Sequence, residues 1–414
     1  MTAPRVVSLE TLFDAEQRRD PYPAYRAWRE AAPVARPHEQ LFVLSGHAAC
    51  TAVLRDPRFG HSEPGEAGQF GQGRAVAPDD PLVDEQGRPV RSFLVMNPPD
   101  HTRLRRLVSR AFTRPMVARL EPRIEEITAR LLADARARGG PVDVIESLAY
   151  PLPVAVISEL LGVPEEDRAR FVGWSHALAR ALDPEFLIPP EQRGLQHASR
   201  AEFAEYIRGL AAQRRARPGE DLISALVGVR DSGDGLTENE LIATCILLLI
   251  AGHETTGNLI GNGTLALLRH PAQLARLRAE PALLDRAVEE LLRYDSPVQL
   301  TGRVALADAE VDGVAVPRGA MTLLLIGAAN RDPAAYDRPE ELDITREPTR
   351  HLAFGQGLHF CLGAPLARLE ARIALRALLD GGGDGGDGPA PAGEPGWKDN
   401  IVLRGLSRLP VTLG

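Results

Sequence analysis

Cys361 sits in the run Phe354-Gly355-Gln356-Gly357-Leu358-His359-Phe360-Cys361-Leu362-Gly363, and an amphipathic helical pattern, Ala364 to Leu379, follows it. Gly355, Gly357 and Gly363 have no Cβ, so the backbone there can take positive φ and approach a flat ligand closely. Such a loop can aim N–H groups at the sulfur, and the start of the following helix favours a thiolate over a thiol. Phe354 can cover the sulfur from solvent. A soft thiolate behind glycine backbone suits an axial ligand to haem iron, where it pushes electron density onto the metal and favours O–O cleavage. A structural cysteine in a tight turn, or a lone zinc or redox thiol, is the plainer alternative.

Three other clusters have chemistry in them. Ala251-Gly252-His253-Glu254-Thr255-Thr256 places small residues, an acid and an alcohol inside an apolar helical pattern. A hydroxyl and a carboxylate could relay protons to a bound oxidant. Alternatively, the threonine bonds back to its own helix and Glu254 is a buried ion-pair partner. His253 is expected to turn elsewhere, since an imidazole facing an iron would ligate it. His101 and Arg105 are four apart on a pattern that starts at Asn97-Pro98-Pro99-Asp100, so they share a helix face and can hold carboxylates. Arg103, Arg106 and Arg110 form a basic face that is either solvated or a dock for an acidic partner. Glu290 and Arg293, three apart, can pair, although a lone ExxR usually marks a surface salt bridge.

The glycine-cysteine run resembles the haem-binding signature of the cytochrome P450 monooxygenases, and the other clusters match in order: 101/105, 251–255, 290/293, 303 and 354–363. The resemblance implies a mainly α fold with a small β-rich subdomain. It implies non-covalent haem b (iron protoporphyrin IX) on Cys361, backed by Phe354, Gly355, Gly357 and Gly363, with Ala251 on the oxygen side. His101, Arg105, Arg303 and His359 become propionate partners, Glu254 and Thr255 the proton relay, and Glu290 and Arg293 a structural tie beneath the cysteine loop. The substrate side would take Leu94, Leu247, Ala251, Val298, Gln299 and Ile401. No CxxCH is present for a covalent haem.

The implied reaction is insertion of one oxygen atom of O2 into a C–H bond or alkene of an apolar small molecule. Electrons come from NAD(P)H through a ferredoxin reductase and a ferredoxin. The resemblance leans to actinomycete enzymes that tailor macrolides and other polyketides in antibiotic biosynthesis, with a xenobiotic or terpene hydroxylase as the alternative. A haem-thiolate ligand-binding protein needs no acid–alcohol pair, and a peroxide-driven relative usually loses it.

The rest of the chain sets the frame. Its 414 residues are 44% hydrophobic, ample for a large core, and the net charge of −8 argues against a nucleic-acid partner. Cys50, Cys245 and Cys361 lie far apart and form no disulfide framework, which fits a reducing cytoplasm. No signal peptide or membrane span is expected, and a monomer is the default. No composition break separates independent domains, so residues 1–414 are expected to form one domain, with a tail over about 1–20 and a flexible Gly/Asp/Pro-rich loop over 380–397. Residues 60–92 read as a loop that the resemblance makes a substrate cover. Further expectations are a strand at Leu41 to Leu44, helices at Ile124 to Arg138 and Ala201 to Arg215, and an apolar loop from Asp183 to Gln192. Asp231 to Gly235 reads as a turn, after which a capping box at Thr237/Glu240 opens a helix running to Arg269. Another helix spans Pro281 to Tyr294, and hairpins surround Asp312-Gly313.

Overall fold

The computed structural model describes residues 8–14, 17–62, 82–84, 86–88, 90–178, 180, 182–183, 188–230, 235–347, 350–380 and 388–413. Most of the loop expected over 60–92, Phe186 and Leu187, most of the Asp231 turn and the Gly/Asp run after Asp380 lie outside them. The chain divides into two compact units. One comprises Met1–Gly60, Thr128–Ala149 and Thr255–Gly414, and the other His61–Ile127 and Tyr150–Glu254.

The first unit contains a five-stranded sheet in the order Val34–His38, Leu41–Leu44, Met321–Leu325, Leu300–Ala305, Phe59–Gly60. Leu41–Leu44 and Met321–Leu325 are buried at every position and pair in parallel, as strands covered on both faces do. Leu300–Ala305 runs antiparallel to the second of them and places Arg303 opposite Thr322. A two-stranded hairpin, Ala309–Val311 with Val314–Val316, turns at Asp312 and Gly313, whose φ angles of 51° and 75° are those a tight hairpin turn requires. The helices Leu284–Tyr294 and Ala364–Leu379 pack on one another here.

The second unit is helical, with Asp100–Ala111, Pro151–Leu161, Arg168–Leu178, Pro190–Ala216 and Leu222–Arg230 as its main helices. Phe171, Trp174, Phe203 and Tyr206 form its aromatic core, with ring centroids 5.3–6.1 Å apart. Pro190–Ala216 starts eleven residues before the expected Ala201, because Pro189-Pro190 reads as a loop in sequence. A proline in the first helical turn has no N–H bond to lose, so Pro190 begins the helix.

The long helix Glu238–Arg269 passes through the division, which falls after Glu254. Its expected capping box forms. Glu240 N–H donates to Thr237 Oγ1 (3.2 Å) and Thr237 N–H to Glu240 Oε2 (2.8 Å). Arg103 pairs with the same Glu240, so it is a structural cation, while Arg106 and Arg110 are exposed. This is the one helix among the described residues long and apolar enough to cross a bilayer, and its apolar window is 72% buried inside the protein. At 32 residues it spans about 48 Å.

Candidate active site

Between residues 241 and 267 the long helix is buried at every position except Leu248, Ala251, Gly252 and Thr255. These four fall at i, i+3, i+4 and i+7, so they form one half-exposed stripe on an otherwise buried rod. The two small residues and the alcohol singled out in sequence lie on that stripe. Leu247, one turn before Ala251, is buried, and Glu254 and His253 point off the stripe into the interior. His253 is turned away as expected: Nδ1 donates to the Leu249 carbonyl (2.6 Å) and the ring packs edge-on against Tyr150.

The same unit carries the first pair of candidate anion holders. His101 and Arg105 are one turn apart on Asp100–Ala111, with His101 1% exposed and Arg105 half-buried. The loop before this helix is fixed at Asn97, whose amide exchanges two bonds with the His61 backbone (2.9 and 2.7 Å). Leu94 is half-buried in a short 3-10 turn, Phe93–Val95.

In the first unit the cysteine loop is half-buried from Ala353 to Gln356 and again from Cys361 to Gly363, and Leu358 and Phe360 are exposed. Cys361 N–H donates to the Phe354 carbonyl (2.9 Å), so this N–H closes the loop instead of serving the sulfur. Gly355 and Gly357 take φ of 66° and 68°. At Gly357 a Cβ would lie 2.3 Å from the Leu54 carbonyl oxygen, so glycine is required there twice over. The Phe354 ring is half-buried, sits under the Arg368 guanidinium (4.5 Å) and lies near the His351 and Phe360 rings. His359 lies in a 3-10 turn, Gly357–His359. No group of three or more His, Cys, Asp or Glu side chains that could bind a metal ion occurs among the described residues, so nothing there builds a zinc site around Cys361.

The ExxR pair is not on the surface. Arg293, with its side chain 0% exposed, makes two bonds to Glu290 (2.7 and 2.8 Å) and donates to the carbonyls of Asn330, Pro339 and Glu341. Asn330 Oδ1 accepts from Leu352 N–H (2.7 Å), and the Leu352 carbonyl accepts from Gly355 N–H (2.8 Å). Through these bonds the buried pair reaches the cysteine loop.

The neighbouring Glu289 makes a second tie that the sequence reading passed over. It takes two bonds from Arg368 (2.6 and 2.9 Å) and faces His351 Nε2 at 3.2 Å. Burial would raise its pKa, but the bonds from Arg368 and His351 outweigh that and bring it down to about 2. A carboxylate whose folded pKa lies below its unfolded value stabilises above the unfolded value, near 4.3, and the gain fades as pH falls towards 2. E289Q should therefore lower the melting temperature most at pH 5 and above, with the gap to the parent narrowing below pH 4. A gap that stays constant from pH 7 to pH 2.5 would show that the charge does not matter.

Arg303 tests whether these residues suit haem. It lies within Leu300–Ala305, is 7% exposed, and donates only to Thr301 Oγ1 (3.2 Å) and the Gly302 carbonyl (2.7 Å). No carboxylate pairs with it among the described residues, and burial pushes its guanidinium down to about 10. A buried cation with no protein anion is what a ligand carboxylate neutralises, so the residues present fit a cofactor with propionates.

Val298 and Gln299 meet the 400–403 segment, through a Val298–Leu403 bridge and a bond from Gln299 N–H to the Val402 carbonyl (2.9 Å). Successive residues of extended chain face opposite ways. Val298 is half-exposed, whereas the Gln299 side chain is buried and donates to the Ser296 carbonyl (2.7 Å). Ile401 and Gln299 line a shallow pocket with Tyr25, Trp397 and Arg404.

Comparison with known proteins agrees with this geometry. The Cytochrome P450 family model matches residues 69–380, through both units. The chain is 44% identical over 399 residues to cytochrome P450 monooxygenase PikC of Streptomyces venezuelae, covering 95% of this chain and 91% of that protein. It is 41% identical over 408 residues to 6-deoxyerythronolide B hydroxylase of Saccharopolyspora erythraea, covering 95% and 96%. Among solved structures, ligand-free CYP164A2 of Mycobacterium smegmatis superposes with a TM-score of 0.83 at 45% identity, over 97% of this chain and 98% of that one. With a cysteine in its glycine cradle, a buried ExxR tie and an acid–alcohol pair on the long helix, the chain belongs to the cytochrome P450 family of haem- and O2-dependent monooxygenases.

Proposed function

We propose that this enzyme places one atom of O2 on a macrolide-type or other polyketide-derived molecule, drawing two electrons from a ferredoxin. The observation that carries the oxygenase part is the half-exposed stripe Leu248, Ala251, Gly252 and Thr255, which puts an alcohol and two small residues on the one open line of a buried helix. The substrate class rests on PikC and 6-deoxyerythronolide B hydroxylase, similar over at least 95% of the chain.

Haem bound through Cys361 supplies a thiolate-ligated iron at which O2 is activated. In this reading Cys361 is held by the bonds of its loop to Phe354 and by the Glu290–Arg293 network. His101, Arg105, Arg303 and His359 hold the propionates, and Arg303 regains a counter-charge. Glu254 moves protons and Thr255 positions them on the open stripe. Each turnover takes two electrons and two protons and releases water with the oxygenated product. Val298, Leu94, Leu247 and Ile401 face the substrate. Exposed Leu358 and Phe360, at 45% and 42%, flank Cys361 and offer apolar contact to the electron donor, and exposed Arg106 and Arg110 offer it positive charge. NAD(P)H enters only through a ferredoxin reductase. We place the enzyme in the cytoplasm as a monomer.

The test is a reconstituted assay with ferredoxin, ferredoxin reductase and a panel of macrolactones, terpenes and drug-like compounds. A spin-state shift and a hydroxylated product with macrolactones alone is the expected result; turnover of terpenes with no macrolactone binding would overturn the substrate class. In the same assay T255A should divert most of the electrons to peroxide while substrate affinity stays within about threefold, since the hydroxyl acts on the oxidant more than on binding. Unchanged coupling would remove Thr255 from the relay.

A further inference from the structure

His253 and Glu254 are neighbours on a helix, so their Cβ atoms point about 100° apart and no contact is expected. Yet His253 Nε2 faces Glu254 Oε2 at 3.7 Å, with the two side chains 0% and 1% exposed. The other ring nitrogen fixes the chemistry. Nδ1 lies 2.6 Å from the Leu249 carbonyl oxygen, which can only accept, so Nδ1 carries a hydrogen. In a neutral ring Nε2 then presents a lone pair to the carboxyl group. A lone pair against a carboxylate in a buried site is repulsive, and a single proton on either partner makes the contact attractive.

We propose that His253 and Glu254 hold one proton between them as a unit, and that glutamate stands here because its extra methylene lets the carboxyl turn back to the ring. The proposal rests on the reading in which Glu254 moves protons, and it gives Glu254 a reserve. The shared proton rests on Nε2 while Glu254 is ionised; when the 3.7 Å gap closes to hydrogen-bond distance it crosses to the carboxylate, and Glu254 passes that one proton on. The neutral ring keeps its Nδ1 bond, and solvent later restores the missing proton. His253 is a positioning residue in this scheme.

The surroundings hold the ring in place. Tyr150 meets it edge-on at 5.4 Å, stacks on the exposed His176 ring at 4.2 Å and donates to Ser175 Oγ (3.2 Å). Among the described contacts, the titratable groups beside the pair are Tyr150 and, behind it, His176. Burial raises the Tyr150 pKa, so it stays neutral and leaves the pair to titrate.

Infrared spectra of the resting full-length enzyme, recorded against pH in H2O and D2O, test this without turnover. The Glu254 carboxyl band is the one missing from E254Q. It should titrate together with the His253 ring signal, in two steps that belong to the pair. H253Q, which cannot store a proton, and E254D, which keeps the acid but shortens its reach, should each move the carboxyl midpoint by about one pH unit, a tenfold change in proton binding. A midpoint that is the same in the parent, H253Q and E254D overturns the proposal, and E254D answers the question if H253Q folds poorly. Whether Glu254 delivers protons at all is decided separately, by electron-to-product coupling in E254Q.

Discussion

C361S is expected to give a folded protein whose reduced carbon monoxide complex lacks the strongly red-shifted Soret band of the parent. Folding should survive because the loop is closed by the backbone bond from residue 361 to the Phe354 carbonyl, by the positive φ of Gly355 and Gly357, and by the bonds reaching Leu352, none of which uses the sulfur. The side chain itself is half-buried, so the exchange of sulfur for oxygen leaves no large cavity. What is lost is the soft anionic ligand and the electron density it pushes onto the metal. Monooxygenase turnover should fall by at least about 10³-fold, the scale seen when a group acting on the reacting centre is removed. The far-ultraviolet spectrum and melting temperature should stay close to the parent's. A C361S protein that keeps the red-shifted band would move the axial ligand to another residue, and Cys50 and Cys245, both buried and with thiols pushed upward by burial, are poor replacements.

The cysteine loop was readable because glycines at fixed offsets, a shielding aromatic and a cysteine are all first-order features of a sequence. The capping box at Thr237 was readable for the same reason: its two bonds join residues three apart. Other features depend on tertiary context. Arg303 lies within a short strand, and only the fold reveals that it is buried with no carboxylate partner among the described residues. Glu289 looks like any acid in a Glu-Glu run, and its partners Arg368 and His351 are 79 and 62 residues away. The His253–Glu254 contact runs against the rule that adjacent helical residues diverge, so spacing argues against it. Pro189-Pro190 read as a loop because a proline pair breaks helices in the interior, yet at a first turn the same residues start one. Val298 and Gln299 are adjacent in sequence, and only the fold shows that the Gln299 amide turns to the Ser296 carbonyl while Val298 stays half-exposed.

Removing the buried cation of the ExxR pair should have the largest effect on stability. In R293A, Glu290 loses both of its bonds to the guanidinium and three backbone carbonyls, those of Asn330, Pro339 and Glu341, lose a donor. Arg346 still reaches Glu290 at 3.2 Å and the Asp343 N–H donates to it at 2.9 Å, so the acid is not wholly abandoned. Breaking a buried pair from one side costs about 3–5 kcal/mol, a large share of the 5–15 kcal/mol that holds a typical domain folded. R293A should therefore give little soluble protein. R293K keeps the charge but not the planar fork that spans one carboxylate and three carbonyls, so it should fold with a lowered urea midpoint and retain haem poorly. An exposed pair of the same residue types provides the control: Arg276 and Glu280 are 48% and 54% exposed, and R276A should change stability by less than about 0.5 kcal/mol. If R293K matched the parent in urea and still lost all turnover, the pair would be acting on the reaction and not on the fold. The bonds from Arg293 through Asn330 and Leu352 to Gly355 argue for the opposite order, in which the loop that presents Cys361 fails first and the chemistry fails because of it.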